Sequence, residues 1–162
     1  MRPFAILALA ALTAAPALPA DTDSMESVVK AVYDVISGPA GPRDWGRFRQ
    51  LFADGARLIS IRVNAGSPTP VVMTPDEFAQ RSGANSEKNA FYESPVAQRV
   101  ESFGNIAHVF STYESRRAPG EKPFARGINS FQLVRSGGQW KVMTILWDSE
   151  REGSPIPEKY LK

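Results

Sequence analysis

The amino-acid sequence predicts an α+β fold, in which a cone-shaped, curved antiparallel sheet wraps around three N-terminal helices. Apolar residues recur at helical spacing up to about residue 53, whereas residues 91–148 form long runs rich in β-branched and aromatic side chains. The pair Gly137-Gly138 separates the last two runs, which is typical of a two-residue hairpin turn. Helices combined with a succession of strands are the usual pattern of an α+β domain.

Residues 1–20 have the pattern of a secretory signal peptide. Arg2 is their only charge, and the apolar run that follows ends at Ala15, which is too short to span a membrane comfortably. Small residues close the segment, so cleavage fits after Ala17 or Ala20. We therefore expect a periplasmic or secreted protein without a membrane anchor, whose folded domain covers residues 21–150 and whose polar tail covers residues 151–162.

Three helices are predicted from capping signals and apolar spacing. The first follows the capping-box spacing of Asp23 and Glu26 and ends at Gly38-Pro39. The second covers residues 43–53 and has an apolar side that begins at Trp45. The third begins at the Thr74 cap, and the polar residues 83–89 after it are expected to form a loop.

Strands are predicted in the remaining segments. The early ones are residues 57–63 and 71–73, joined by a loop. Four longer strands follow, over residues 91–103, 106–117, 126–135 and 140–148. Pro95 indicates a bulge or an edge position in the first of these four strands.

The final hairpin allows its two faces to be predicted. Counting outward from Gly137-Gly138 pairs Leu133 with Val142, and directly paired residues share a face of the sheet. Unbroken pairing then places eight residues on the inner face: Asn129, Phe131, Leu133, Trp140, Val142, Thr144, Leu146 and Asp148. The same count places Ile128, Ile145 and Trp147 on the outer face, where they would form an exposed apolar patch. A slip of one residue in the register would exchange these assignments.

Composition excludes several classes of function. The chain has no cysteine, which excludes disulfides, thiolate nucleophiles and cysteine-ligated metals. It has a single histidine, so one copy cannot supply a multi-histidine metal site. The net charge of +2 is too small for a nucleic-acid-binding surface. We therefore expect no metal, no organic cofactor and no nucleic-acid partner.

Three segments resemble the nuclear transport factor 2-like superfamily, which includes SnoaL-like and ketosteroid-isomerase-like domains. They are WGRFRQLFADGARLISI, SFGNIAHVFSTYESR and, most strongly, RGINSFQLVRSGGQWKVMTILWDSE. The resemblance covers nearly the whole mature chain and identifies it as an exported bacterial member. It implies a cone with a hydrophobic pocket, often in a dimer formed through the outer sheet face. It does not imply one activity.

Two residues are candidates for catalysis. Asp148 is predicted near the pocket end of the inner face, where partial desolvation would raise its pKa and suit it to act as a general base. The alternative is that Asp148 caps the end of its strand. His108 could assist it, but the alternation of residues 106–117 leaves open which face of that strand points inward, and a surface histidine is the alternative.

The candidate ligand-binding residues combine aromatic and apolar side chains with a few polar groups, as small-molecule pockets commonly do. They are Tyr33, Trp45, Phe52, Tyr113, Asn129, Phe131, Thr144 and Leu146. The leading hypothesis is an exported domain that binds a small apolar or amphipathic molecule and forms a homodimer through Ile128, Ile145 and Trp147. The alternatives are a cofactor-free isomerase, dehydratase or cyclase that uses Asp148, and an interaction domain whose cone is filled by side chains.

Overall fold

The computed structural model describes residues 20–162. The predicted signal peptide therefore lies outside the described residues, apart from Ala20. The helices are α1 (Met25–Ile36), α2 (Trp45–Gln50) and α3 (Pro75–Ser86). The strands are β1 (Phe52–Asn64), β2 (Ser67–Met73), β3 (Tyr92–Phe103), β4 (Ile106–Arg116), β5 (Ala125–Ser136) and β6 (Gln139–Ser149). This architecture confirms the α+β prediction.

Helix α1 begins one residue later than the sequence predicts. Ser24 forms the capping box with Ser27, each side chain accepting a hydrogen bond from the other residue's backbone N–H, at 3.0 and 2.9 Å. Asp23 instead accepts a hydrogen bond from the backbone of Ala20. The valines of α1 face the sheet and are almost fully buried, so this helix forms one side of the core.

The other two helices differ from their predicted lengths. Helix α2 is short because Phe52, assigned to it from the sequence, begins β1 instead. Helix α3 begins at the predicted Thr74–Glu77 capping box but continues to Ser86, through residues predicted as a loop. The segment between β1 and β2 is also not a loop, since Ala65 and Gly66 alone make the turn, both with positive φ. Strand β2 tolerates its two prolines because it lies at the edge of the sheet.

The six strands form one mixed sheet in the order β2-β1-β6-β5-β4-β3. Four of the five neighbouring pairs are antiparallel, but β1 and β6 are parallel, so the prediction of a wholly antiparallel sheet is wrong at this pair. Parallel neighbours require a long connection between them. Here that connection covers residues 65–138, since β2, α3, β3, β4 and β5 all lie between β1 and β6 in sequence.

The β5–β6 hairpin follows the predicted register only near its turn. Leu133 pairs with Val142 as predicted, but Phe131 pairs with Ile145 rather than with Thr144. The cause is a β-bulge that leaves Met143 unpaired and reverses the faces of all later residues of β6. Ile145 and Trp147 therefore face inward, whereas Thr144, Leu146 and Asp148 face outward, which corrects five of the predicted face assignments.

Strand β4 has an unambiguous orientation. The residues Ala107, Val109, Ser111, Tyr113 and Ser115 are all buried, so they form its inner face. The C-terminal segment crosses the opposite, outer face. There the ring of Tyr160 lies 4.9 Å from that of Phe110, and the backbone oxygen of Lys159 accepts a hydrogen bond from Arg99. Among residues 20–162, no helix is both long and apolar enough to span a membrane.

Candidate functional site

A cavity of about 320 Å³ lies between the three helices and the inner face of the sheet. Aromatic side chains supply much of its lining: Tyr33, Trp45, Phe48, Phe78, Phe91, Tyr113, Phe124, Phe131 and Trp147. A volume of a few hundred Å³ with a largely apolar lining is typical of small-molecule sites. The cone is therefore not filled by its own side chains within the part of the chain that the structure describes.

One side of the cavity is an aromatic wall formed by Trp45, Phe48, Phe78 and Trp147. The ring of Phe78 lies at its centre, stacked on Phe48 at 5.4 Å and edge-on to Trp147 at 6.2 Å. Trp45 meets Phe48 edge-on at 5.4 Å. These spacings are those at which aromatic pairs attract one another, so α2, α3 and β6 hold the wall together through its rings.

Beside this wall lies a polar cluster formed by Tyr33, Glu93, Ser111, Ser115 and Asn129, all of which except Ser111 line the cavity. The hydroxyl of Ser115 donates to one carboxylate oxygen of Glu93 at 2.8 Å, and the amide of Asn129 donates to the other at 3.2 Å. The same amide also donates to the hydroxyl of Tyr33 at 3.1 Å, and that hydroxyl meets Ser111 at 2.7 Å. Asn129 therefore connects the carboxylate to the tyrosine.

Glu93 is the only charged residue in the lining, among the residues that the structure describes. Burial raises the pKa of its carboxyl above the ordinary value of 4.5, although the hydrogen bonds from Ser115 and Asn129 oppose that shift. Burial also raises the pKa of the Tyr33 and Tyr113 phenols, so both remain neutral hydrogen-bonding groups. A carboxylate whose pKa is raised by an apolar cavity accepts a proton more readily than an exposed one, which suits it to act as a general base.

Several solved structures share this architecture. A protein of unknown function described as NTF2-like, from Pseudomonas putida KT2440, aligns with a TM-score of 0.61 at 12% identity, over 80% of this chain and 88% of its own. A proposed dehydratase of the NTF2-like family from Streptomyces avermitilis aligns with a TM-score of 0.60 at 12% identity, over 81% of this chain and 96% of its own. The chain has the nuclear transport factor 2-like fold.

A proposed ketosteroid isomerase from Shewanella frigidimarina NCIMB 400 aligns more loosely, with a TM-score of 0.51 at 17% identity, over 75% of this chain and 91% of its own. No protein-family model matches the sequence, and no curated protein matches it either. The resemblance inferred from the sequence is confirmed at the level of the nuclear transport factor 2-like fold, which by itself fixes no activity.

Five of the residues predicted to bind a ligand line the cavity: Tyr33, Trp45, Tyr113, Asn129 and Phe131. Three others do not. Phe52 is buried in the core, with its ring 4.7 Å from that of Phe48. Thr144 and Leu146 lie on the outer face because of the bulge at Met143.

The two predicted catalytic residues also lie outside the cavity. Asp148 faces outward for the same reason as Leu146, accepts a hydrogen bond from Arg151 at 2.7 Å, and borders a groove between the sheet and the C-terminal segment. His108 is on the outer face of β4, 3.0 Å from the hydroxyl of Ser130. The structure therefore does not bring Asp148 and His108 together with the cavity-lining residues.

Strict alternation along β3 would place Glu93 on the outer face, so the sequence pattern does not identify it as a cavity residue. Counting by twos back from Ala97, which pairs with the outward-facing Thr112, puts Glu93 outside the cone. A bulge between Pro95 and Ala97 reverses the faces, and Glu93 pairs with the inward-facing Ser115. Pro95 was the signal in the sequence for this bulge.

No group of three or more His, Cys, Asp or Glu side chains able to hold a metal ion is found among residues 20–162. The cavity lining combines aromatic rings with hydroxyl and amide groups and one carboxylate.

Proposed function

We propose that the chain is a small-molecule-binding domain whose cone cavity holds a largely apolar molecule with one polar group. The observation that carries this proposal is the juxtaposition of an aromatic wall with a single polar cluster in one cavity of about 320 Å³. The wall would bury the apolar body of the ligand, and the cluster around Glu93 and Asn129 would orient its polar end.

Native mass spectrometry of the mature protein, isolated from its own host, tests this function. We expect the folded protein to carry additional mass that dissociates on unfolding. The variant Ser82→Phe, which fills the cavity from α3, is expected to lose that mass. Ala84→Phe is the matched control, because Ala84 lies on the exposed side of the same helix and should retain the mass. Equal loading of both variants would show that the ligand binds elsewhere.

A second candidate function is a cofactor-free enzyme with a general base in the cavity. The observation that favours it is the position of the Glu93 carboxylate in the cavity lining, where burial raises its pKa. Two solved structures of this fold are described as those of a proposed ketosteroid isomerase and a proposed dehydratase. If the chain is such an enzyme, Glu93 would take a proton from the substrate, and Asn129 with Tyr33 would position the Glu93 carboxylate.

Turnover of an unsaturated ketosteroid, measured by the absorbance of the conjugated product, tests the hypothesis that the chain is an enzyme. We expect Glu93→Gln to remove any turnover, whereas Asp148→Asn, on the outer face, should leave it unchanged. If the two variants retain the same turnover, Glu93 is not the base.

We further propose that the protein is exported after cleavage of residues 1–20 and forms a homodimer through the outer sheet face. The apolar composition of residues 1–20 supports export. The outer face carries Leu146, which is 39% exposed, together with Ile128, and both lie on neighbouring strands. Ile145 and Trp147, assigned to this interface from the sequence, face the core and the cavity instead. N-terminal sequencing of the envelope fraction tests the cleavage site.

A further inference from the structure

We infer that the cavity ligand carries a positively charged amine, which pairs with Glu93 while its apolar body lies against the aromatic wall. This inference rests on the proposed binding function and specifies the chemical class of the ligand. It depends on three properties of the cavity: a carboxylate without a cationic partner, rings that attract cations, and the absence of lining cations among the described residues.

The carboxylate of Glu93 has hydrogen bonds but no counter-ion. Ser115 and Asn129 each donate to one of its oxygens, and no Lys, Arg or His among residues 20–162 forms an ion pair with it. The other carboxylates of β3 and β4 are on the outside, where Glu114, for example, pairs with Arg116 and Arg126. A charge taken out of water is costly unless it is paired, so Glu93 has an unmet requirement that a cationic ligand would satisfy.

The rings of the lining favour a cation over an anion. The face of an aromatic ring carries partial negative charge and attracts an ammonium or guanidinium group, most strongly for Trp. Trp45 and Trp147 both lie in the aromatic wall. At the cavity's edge, Phe124 already interacts in this way, since the guanidinium of Arg117 lies 4.2 Å from its ring centre. Arg117 is not itself among the cavity-lining residues.

Ligands of other charge fit the site less well. An anionic group would meet Glu93 without any lining cation, among the described residues, to offset the repulsion. A neutral polar group could accept a hydrogen bond from a protonated Glu93, but Asn129 and Ser115 both approach the carboxylate as donors. The two donors favour the ionised form, which burial alone disfavours, and a bound cation would complete its stabilisation.

Isothermal titration calorimetry with three probes of equal apolar body tests the inference: phenylbutylamine, phenylbutanol and phenylbutanoate. The titrations are made at about pH 8, where a primary amine is still protonated. We expect the wild-type protein to bind the amine at least about tenfold more tightly than the alcohol, and the carboxylate most weakly. This order of affinities needs no variant, so it remains informative even if a substitution at Glu93 disturbs folding.

Two matched variants locate the charge that produces the preference. Glu93→Gln is expected to lower the affinity for the amine to that for the alcohol, while the affinity for the alcohol changes by less than about twofold. Asp148→Asn removes a carboxylate from the outer groove instead and should leave all three affinities unchanged. Thermal unfolding of each variant confirms that it is folded.

The outcomes separate the inference from the function on which it rests. If the alcohol binds as tightly as the amine, or if Glu93→Gln keeps the preference for the amine, the inference is wrong and the binding function stands. If none of the three probes binds to the wild-type protein and the native protein carries no additional mass, both are wrong. A preference for the amine that Asp148→Asn removes would assign the cation to the outer groove and overturn the inference.

Discussion

Replacing Asn129 by alanine tests whether one amide holds the polar cluster together. The amide nitrogen donates to Tyr33 at 3.1 Å and to Glu93 at 3.2 Å, and the residue is only 6% exposed. Without it, Tyr33 keeps its hydrogen bond with Ser111 and Glu93 keeps the one from Ser115. We expect Asn129→Ala to fold but to be less stable than the wild-type protein.

The size of the loss follows from the two hydrogen bonds. A hydrogen bond between neutral groups contributes about 1 kcal/mol to stability, and one to a charged group contributes about 1.5–3 kcal/mol. Water in the cavity can replace part of the interaction with Glu93, so the lower end of the sum applies. We therefore expect the free energy of unfolding to fall by about 2–3 kcal/mol. For a domain of this size each kcal/mol lowers the Tm by about 2–4 °C.

Urea denaturation followed by tryptophan fluorescence measures the change, since Trp45 and Trp147 line the cavity. The matched control is Asn89→Ala, because Asn89 is exposed and its amide bonds only to Asn85. That substitution should cost no more than about 0.5 kcal/mol. Equal losses for the two variants would refute the argument that Asn129 ties Glu93 to Tyr33.

Three further predictions concern sheet packing, charge and association. Gly127→Ala should destabilise the fold by about 1–3 kcal/mol, because a Cβ atom there would lie 2.3 Å from the backbone oxygen of Asp148 and 2.5 Å from the Tyr113 hydroxyl. The free energy of unfolding of the wild-type protein should fall as pH rises above 4.5 through the raised pKa of Glu93, because the folded state binds a proton at Glu93 more tightly than the unfolded state does. Glu93→Gln should remove this dependence on pH. Leu146→Glu, on the outer face, should convert a dimer into monomers in native mass spectrometry.

Each of these predictions has a control or a contradicting result. Gly46→Ala, on an exposed helical turn, should leave the stability unchanged or raise it slightly. If it lowers the stability as much as Gly127→Ala does, the loss at Gly127 is not caused by the close contact of the added Cβ atom. Chemical denaturation from about pH 4 to pH 8 measures how the free energy of unfolding depends on pH. The same dependence in the wild type and in Glu93→Gln would contradict the prediction for Glu93. A dimer mass that survives Leu146→Glu would assign the interface to another surface.

The sequence predicts the elements of this fold better than it predicts their faces. Helical spacing found the apolar side of α2, including Trp45, and the turn at Gly137-Gly138 was placed correctly. Successive side chains of a strand point to opposite faces of the sheet, so a single unpaired residue reverses the faces of all residues beyond it. Nothing in the neighbourhood of Met143 signals a bulge, so Asp148 was assigned to the cavity, whereas Pro95 does signal the one that turns Glu93 inward.

The parallel pairing of β1 with β6 could not be predicted from local sequence patterns, for a different reason. It joins residues 52–60 to residues 142–147, which are far apart in the sequence, and neither segment contains a feature that identifies its partner. Pairing of this kind is decided by which arrangement buries the helices and the sheet together, and only the complete chain defines that arrangement.

The same pairing sets the order in which the protein can acquire its tertiary structure during synthesis. Strand β6 also makes backbone hydrogen bonds to two segments near the start of the domain. The N–H of Trp140 donates to the carbonyl of Thr22, and the N–H of Val142 donates to that of Leu51. The three-stranded unit β3–β4–β5 can form as it emerges, but β1 has only β2 beside it until the last strand is made. Contacts so distant in sequence form slowly. Trp147, one ring of the aromatic wall, arrives on that last strand, so a nascent chain that ends before β6 has two separate groups of strands and an incomplete cavity lining.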